Sequence, residues 1–280
     1  MSWGTKEKTN DEPDKKFIKR QEEVFGKDVI RKWLYSRGYS QYKTCCLVYG
    51  LDGTGKTGIV LDYLTEQEKK DGHKIVVLDL DGGAIPLLKY HDEKNIIIKN
   101  PMEINKIEGQ TNIDYNMTME RIRATIDVVH DDIEKEKIKA VVLDGVSTLL
   151  KHAEYQMRID KNITADGGVQ LRYWVQRNKL FIEILEQIKA LPCDKFFVSH
   201  EDFILDDKEN PSAVKSKTNQ MMFQKIRCER VVGKDKVVYS ATIDKSKYNV
   251  NSEGQKFEFL TVEKEKKEFK WEAQKVFELL

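Results

Sequence analysis

The sequence predicts an α/β fold with a mostly parallel central sheet flanked by helices. From residue 44 onward, short β-rich runs alternate with helical segments, and the β-rich runs are apolar along most of their length. Runs of this kind are typical of parallel strands that are buried on both faces and joined by crossover helices. A chain of 280 residues with 40 % hydrophobic content can bury a core of this size.

The predicted elements follow a regular order along the chain. Strands are predicted at "TCCLVYG", "KIVVLDL", "NIIIKN", "KAVVLDG" and "KFFVSHE", and helices from Lys56, around 117–136 and around 169–190. After about residue 221, three further runs look antiparallel and are joined by "GKD" and "NSEG". The predicted domain organisation is a disordered tail 1–16, an N-terminal helical extension 17–43, a core 44–262 and a C-terminal helix 263–280.

Composition excludes several classes of protein. The 48 Lys and Arg nearly balance the 47 Asp and Glu, so any nucleic-acid site must be local. The N-terminus lacks an apolar signal core, and no run approaches the roughly 18–20 apolar residues of a membrane span, so we expect a cytoplasmic protein without a membrane partner. The four cysteines show no CxxC spacing, so we expect neither a disulfide nor zinc, and we expect Cys45 and Cys46 to be buried, inert thiols.

The strongest motif is "GLDGTGKT", residues 50–57, which fits G-x-x-x-x-G-K-[ST]. In such a P-loop the glycines let the backbone wrap a polyphosphate, the lysine (Lys56) reaches the β- and γ-phosphates, and the hydroxyl of Thr57 ligates Mg²⁺. The alternative is a glycine-rich turn with an exposed lysine. The residues predicted to bind ATP are Gly50, Leu51, Asp52, Gly53, Thr54, Gly55, Lys56, Thr57 and Gly58.

A second carboxylate-bearing strand supplies the other predicted metal ligand. The run "AVVLDG" places Asp144 at the end of an apolar strand, and we predict that Thr57 and Asp144 hold Mg²⁺. Many P-loop ATPases have Asp-Glu at this place, whereas Gly145 follows here. The group that activates water must therefore come from elsewhere.

The stretch "DLDGG", residues 79–83, has three interpretations. A calcium loop would need a Glu twelve residues after its first Asp, and that spacing is missing. A turn is common for Asp-Gly pairs, because Asp bonds its own backbone. In the third interpretation Asp81 is a catalytic carboxylate at a strand end, and Asp79, on the same side of the strand, supports or competes with it.

These motifs, in this order, resemble the RecA family, and most closely the phage and archaeal RecA-core ATPases of single-strand annealing and recombination. The resemblance covers about 44–262 and implies a RecA-like P-loop core with Asp81 as catalytic carboxylate. It further implies that His200, at the end of "KFFVSHE", senses the γ-phosphate, and that Lys245 and Lys247 reach a neighbouring subunit's ATP. Asp81 is one methylene shorter than the usual Glu, so we expect slow hydrolysis. The alternative for His200 is a buried, hydrogen-bonded histidine.

The resemblance also implies two mobile DNA-binding loops, about 151–170 and 202–221. Their cations include Lys151, Arg158, Lys161, Lys208, Lys215 and Lys217. From Lys215 to Lys247 there are nine Lys and Arg and three acidic residues, and the net charge of +6 suits a phosphate backbone or a neighbouring subunit's nucleotide. A solvated hairpin face is the alternative. Tyr155, Tyr173 and Trp174 either stack on bases or pack in the core.

The function predicted from the sequence is ATP hydrolysis coupled to single-stranded DNA in recombination, repair or replication. We expect ATP and Mg²⁺ as cofactors, a homo-oligomeric ring or filament with ATP at subunit interfaces, and a slow ATPase that DNA stimulates. Two alternatives remain: a DNA-independent nucleotide switch acting on partner proteins, and a nonenzymatic scaffold that only binds nucleotide.

Overall fold

The computed structural model describes residues 26–28, 30–31, 43–107, 110–164, 166–201, 218, 220–265 and 268–280. The chain divides into two compact units, Met1–Tyr42 and Lys43–Leu280. In the first unit the described residues form a helical turn, in which the Ile30 N–H donates to the Gly26 carbonyl at 2.9 Å. The predicted tail 1–16 and most of the predicted helical extension 17–43 lie outside the described residues.

The second unit alternates strands and helices, as the sequence predicts. Its strands are β1 Cys45–Gly50, β2 Lys74–Asp79, β3 Ile96–Lys99, β4 Ile104–Ile107, β5 Gln110–Ile113, β6 Ile138–Asp144, β7 Asp194–His200, β8 Gln224–Val232, β9 Lys236–Ser246, β10 Lys256–Glu263 and β11 Glu268–Trp271. Its α-helices are α1 Lys56–Leu61, α2 Glu66–Lys70, α3 Tyr115–Asp132, α4 Val146–Asp160, α5 Leu171–Ala190 and α6 Gln274–Phe277, and 3₁₀ turns lie at Ile85–Tyr90, Glu93–Asn95 and Val250–Ser252. Strands β4 and β5 form a separate hairpin.

The nine-stranded sheet has the order β11-β10-β9-β8-β1-β7-β6-β2-β3. Six neighbouring strands run parallel to one another: β8, β1, β7, β6, β2 and β3. On the other side of β8, the pairs β8–β9, β9–β10 and β10–β11 are antiparallel. At the carboxyl edge of the parallel part, Gly50 lies level with His200 on one side and with Cys228 on the other, and Asp144 lies level with Asp79. The carboxyl edge of a parallel sheet is where α/β proteins bind ligands.

Both faces of the sheet are buried. Along β1, the side chains of Cys45, Leu47 and Tyr49 join the core that α3, α4 and α5 cover, and those of Cys46 and Val48 join the core that α1 and α6 cover. This arrangement explains why the predicted strands are apolar throughout rather than alternating. The predicted burial of the thiols of Cys45 and Cys46 is confirmed, since both residues are 0 % exposed.

The C-terminal segment differs from the prediction. Residues 263–280 do not form one helix; the described part contains strand β11 and the four-residue helix α6. The charged composition favoured a helix, but β11 satisfies the hydrogen bonds of the edge of β10, with Trp271 level with Leu260. Ala273 and Val276, both 0 % exposed, belong to the core, so the compact unit continues past residue 262.

The first predicted DNA loop, 151–170, is also different, because helix α4 continues to Asp160. The guanidinium of Arg158, near the end of this helix, pairs with Glu154 at 3.0 Å and donates to the carbonyls of Thr164 and Gly167 at 3.1 and 2.9 Å. Arg158 thus closes the short loop after α4. Residues 202–217 of the second predicted DNA loop lie outside the described residues.

Among the residues that the structure describes, no helix is long and apolar enough to cross a membrane.

Candidate active site

The loop between β1 and α1 is closed by its own contacts. The ammonium group of Lys56 donates to the carbonyls of Gly50 at 3.0 Å and Leu51 at 2.7 Å, and the hydroxyl of Thr54 also donates to Leu51, at 2.8 Å. Lys56 is 9 % exposed, and this burial lowers its pKa. The ammonium group of Lys56 is therefore held by the P-loop backbone, in a place where it can donate to a phosphate instead of to these carbonyls.

Thr57 and Asp144 meet across the sheet edge. The hydroxyl of Thr57 donates to Oδ2 of Asp144 at 2.8 Å, although β7 separates their strands. Burial raises the pKa of Asp144 to about 7, and the charges of Asp79 and Asp81 act in the same direction, whereas the hydrogen bond from Thr57 and the charge of Lys56 act against it. Excess negative charge and oxygen donors are what a hard divalent cation requires, so these residues fit Mg²⁺.

Asp79 and Asp81 have separate surroundings. Asp79 is 0 % exposed, and its carboxylate accepts backbone N–H bonds from Gly82 at 2.8 Å, Gly83 at 3.2 Å and Ala84 at 2.9 Å. The turn interpretation of "DLDGG" therefore describes Asp79. Asp81 makes none of these bonds, which leaves its carboxylate available for chemistry.

The carboxylate of Asp81 lies between β6 and α4. The hydroxyl of Thr148 donates to its Oδ1 at 2.5 Å. The same oxygen would lie 2.7 Å from a Cβ at Gly145, whose φ of +102° also favours glycine. Asp81 thus fills the position next to Asp144 where a glutamate side chain would begin in the Asp-Glu pattern.

His200 links the P-loop to Asp81. Its Nδ1 lies 2.9 Å from Oδ1 of Asp52, and its Nε2 lies 3.6 Å from Oδ2 of Asp81. Its side chain is 41 % exposed, so the alternative of a buried histidine is wrong. The imidazole of His200 therefore lies between the carboxylates of Asp52 and Asp81, and a change in the contacts of either carboxylate can shift its position.

Lys245 and Lys247 lie away from this cluster. Lys245 is level with Lys225, which is level with Leu47 near the start of β1, and Lys247 donates its backbone N–H to Phe223. The P-loop leaves β1 at the opposite end. Within one chain the two lysines therefore do not join Lys56, and a role at ATP would require a second subunit.

A cavity of about 260 Å³ continues from the P-loop along α1. Beyond the P-loop residues, its lining is apolar and mostly aromatic: Leu87, Tyr90, Tyr239, Leu260, Phe269 and Trp271. Tyr90 and Phe269 stack with ring centroids 4.0 Å apart, and the Trp271 ring lies so close to Gly58 that a side chain there would overlap it. An aromatic cavity beside a phosphate loop is suited to a flat ring attached to a phosphate chain.

Comparison with known proteins assigns the family. A profile of the AAA domain family matches residues 42–256, more than half of the chain. The chain belongs to the AAA domain family. A solved KaiC-like protein from the hyperthermophilic archaeon Pyrococcus horikoshii OT3 is similar at 14 % identity, with a TM-score of 0.44, over 77 % of this chain and 85 % of that one. No curated protein matches.

For this AAA domain, the predicted α/β fold class, a P-loop core with a mostly parallel central sheet and antiparallel C-terminal strands, is confirmed. The structure brings together Lys56, Thr57, Asp81, Asp144 and His200 at one edge of the sheet. Their catalytic and metal-binding roles stay predictions.

Sequence reasoning missed several residues that surround the P-loop of the AAA domain. Thr148 follows Asp144 by four residues and lies in the first turn of the next helix. This spacing could have indicated that its hydroxyl lies near the carboxylates at the sheet edge. The aromatic residues of the cavity come from segments that are far apart in the sequence and are joined only by strand pairing. Arg230 counts among the nine cations of 215–247, but no spacing rule indicates that it lies near Gly53 of the P-loop.

Proposed function

We propose that this AAA domain binds ATP with Mg²⁺ at residues 50–58 and hydrolyses it. The observation that carries the proposal is the convergence at one sheet edge of the buried Lys56, the Thr57–Asp144 pair and the separate carboxylate of Asp81. A phosphate-binding cation, an oxygen-ligand pair and a carboxylate that can contact water are the three parts that phosphoryl transfer to water needs.

Each residue has one task in the proposed mechanism. Lys56 exchanges its bonds to the P-loop carbonyls for bonds to the β- and γ-phosphates. Thr57 and Asp144 would hold Mg²⁺, which neutralises phosphate charge when bound. Asp81 orients the attacking water or takes its proton, and Thr148 fixes the direction of its carboxylate.

The cavity beside α1 accommodates the nucleobase in this proposal. Its lining includes residues 53–58 of the P-loop and continues to Tyr90, Phe269 and Trp271. Stacking on aromatic rings contributes roughly 1–3 kcal/mol per base in single-stranded nucleic-acid complexes, and a similar gain is available here. The last three strands of the sheet thus take part in nucleotide binding.

The proposal includes ATP at the interface of a homo-oligomer. Lys245 and Lys247 lie at the opposite end of β1 from the P-loop, so the charge they would supply has to reach a neighbouring subunit. Burial lowers the pKa of Lys245, and the charges of the neighbouring Lys247 and Lys225 act in the same direction. Such a cluster favours contact with an anionic partner.

We further propose that ATP controls binding of single-stranded DNA, as in recombination and repair. Helix α4 supports this, because Thr148 at its start contacts Asp81, while the exposed Lys151 and Tyr155 lie one and two turns further on. Tyr155 is 38 % exposed and stacks on Tyr115 with ring centroids 4.6 Å apart, so an aromatic surface lies two turns along a helix that begins at the site.

A DNA-independent nucleotide switch is the second candidate. It is favoured by the contacts of Arg158, a cation of the first predicted DNA loop. Its guanidinium is bound to Glu154 and to two backbone carbonyls instead of being free for DNA. Its distinctive property is nucleotide-dependent assembly without affinity for nucleic acid.

The deciding experiment measures ATP turnover with and without single-stranded DNA over a salt series, with Lys56→Ala as the inactive control. We expect slow turnover that DNA raises and salt suppresses. Equal rates at all salt concentrations, with no DNA retained, would reject the DNA-dependent version and leave the switch. ATP binding without turnover at high protein concentration would leave only the scaffold.

A further inference from the structure

Arg230 lies beside the P-loop, on the strand that neighbours β1. In β8, Cys228 is level with Gly50, where β1 ends, and Cys228 packs in the same core as α1. Because side chains two residues apart on a strand share a face, Arg230 projects from the α1 face just beyond the level at which the P-loop begins.

Two distances place its guanidinium. Nη1 of Arg230 lies 3.5 Å from the position that a Cβ would take at Gly53, in the middle of the P-loop. The guanidinium carbon lies 5.8 Å from the centroid of the Tyr239 ring, which Arg230 faces across the β8–β9 pair and which lines the cavity. Arg230 therefore lies where the phosphate loop meets the aromatic cavity.

The charge of Arg230 has no carboxylate partner within 4.0 Å among the residues that the structure describes. Its strand neighbours differ: Glu229 pairs with Lys256, and Arg227 lies 3.9 Å from both Glu229 and Asp244. Arg230 is also exposed. An uncompensated arginine next to a P-loop is available for an anionic ligand.

The balance of charge around the P-loop favours such a use. The carboxylates of Asp52, Asp81 and Asp144 lie close to it, with Lys56 as the buried cation. A nucleoside triphosphate adds several negative charges to this region. A second cation at its outer side would offset part of the resulting repulsion.

We propose that Arg230 contacts the phosphate groups of bound ATP from within the same chain, as a second cation beside Lys56. This inference rests on the proposed function, because it assumes nucleotide at the P-loop. The planar guanidinium donates two parallel bonds to phosphate oxygens, and such charge-assisted bonds are stronger than neutral ones. The cation is then supplied in cis, independently of Lys245 and Lys247 in a neighbouring subunit.

The test uses Arg230→Ala and Arg230→Lys in the full chain, with Arg227→Ala as the matched control on the other face of β8. Binding of ATP with Mg²⁺ and of inorganic tripolyphosphate with Mg²⁺ is measured by competition with a fluorescent nucleotide. We expect Arg230→Ala to raise both dissociation constants by about 10-fold or more, Arg230→Lys to recover part of the loss, and Arg227→Ala to change neither by more than about 3-fold. Turnover should fall by at least the same factor in Arg230→Ala.

Tripolyphosphate separates a phosphate contact from an effect on the base pocket. Weakened ATP binding with unchanged tripolyphosphate binding would mean that Arg230 acts through Tyr239, and would overturn the inference. Equal losses in Arg230→Ala and Arg227→Ala would overturn it as well. If the wild type binds both ligands but hydrolyses nothing, the proposed hydrolysis fails and the binding constants still decide the inference. If Lys56→Ala binds ATP as tightly as the wild type, the P-loop site itself is rejected.

Discussion

The carboxylate of Asp81 occupies the space beside the α-carbon of Gly145. A Cβ at Gly145 would lie 2.7 Å from Oδ1 of Asp81, closer than a Cβ and an oxygen atom approach each other. The two positions therefore compete for the same space: with Asp81 in this orientation, a side chain on the residue after Asp144 would displace its carboxylate. The glycine in "VLDG" and the second aspartate in "DLDGG" are parts of one arrangement.

Replacing Asp81 by Asn should abolish turnover while preserving nucleotide binding. The substitution removes the negative charge that would orient or deprotonate water, and loss of such a group typically costs about 100-fold to 10,000-fold in rate. Steady-state ATPase assays and equilibrium ATP binding provide the measurement. Undiminished turnover in Asp81→Asn would show that the assignment of Asp81 is wrong.

Replacing Asp79 by Asn should lower the stability of the protein, in contrast to the Asp81 variant. Three backbone N–H groups donate to the buried Asp79 carboxylate, and an amide offers only one acceptor oxygen to them. We expect the free energy of unfolding to fall by about 1–3 kcal/mol, measured by urea denaturation. Asp81→Asn is the matched control and should change stability by less than about 0.5 kcal/mol. Equal stability of the two variants would contradict the separate roles.

Replacing Thr57 by Ala should raise the Mg²⁺ concentration required for ATP binding. The variant loses the hydroxyl that bonds Asp144 and would ligate the metal, and we expect the half-saturating Mg²⁺ concentration to increase about 10-fold or more. Thr65→Ala serves as the control, since Thr65 caps α2 outside the site. A magnesium titration monitored by nucleotide fluorescence measures both variants, and a shift of equal size in Thr65→Ala would count against the assignment.

His91 should make the protein less stable in mild acid. Burial lowers the pKa of His91 to about 4, and the charge of Lys69 adds to this effect. Between this value and the usual 6.5 the unfolded chain binds more protons than the folded one, so stability falls as the pH is lowered through this range. Between pH 7 and pH 5 the wild type should lose about 1–2 kcal/mol more than His91→Phe. Parallel urea curves for the two proteins would refute the prediction.

The aromatic cavity should discriminate weakly between nucleobases. Outside the P-loop its described lining consists of Leu, Tyr, Phe and Trp side chains, without an amide or carboxylate that could bind a base edge. We therefore expect the dissociation constants of ATP and GTP to agree within about 10-fold. Trp271→Ala should weaken both by about 5-fold to 150-fold, since stacking is worth roughly 1–3 kcal/mol. Trp174→Ala, on α5, is the control, and a strong preference for one base would contradict this account.

Much of this AAA domain could be predicted from the sequence, because the relevant signals are local. A P-loop is a continuous stretch, and the aspartates at the ends of apolar runs meet once those runs form parallel strands. The functions of Asp79 and Asp81 could not be separated in this way. The difference depends on three backbone N–H groups of the following turn, whose direction no alternation of residues encodes.

The errors of prediction have physical causes. Helix α4 has an apolar stripe at Val146, Leu149, Ala153 and Met157 with the spacing of a helix, so its periodicity was a better guide than the family resemblance, which favoured a loop. Strand β11, with the sequence Glu-Phe-Lys-Trp, alternates polar and aromatic residues over only four positions, and the charged residues around it favoured a helix. It is a strand because β10 offers it hydrogen bonds, and this partner is a tertiary feature.

Strand β8 pairs parallel with β1 on one side and antiparallel with β9 on the other. The strands β9, β10 and β11 follow it in the sheet and contribute residues to the cavity beside the P-loop. A nascent chain that has emerged only as far as the P-loop, or even as far as His200, lacks Tyr239, Phe269 and Trp271, which complete the cavity. The aromatic part of the cavity is therefore complete only once strand β11 has paired with β10. If ATP binds as proposed, its base can contact this aromatic lining only in a chain that extends to Trp271, whereas the residues proposed to bind its phosphates lie in the parallel core that is synthesised earlier.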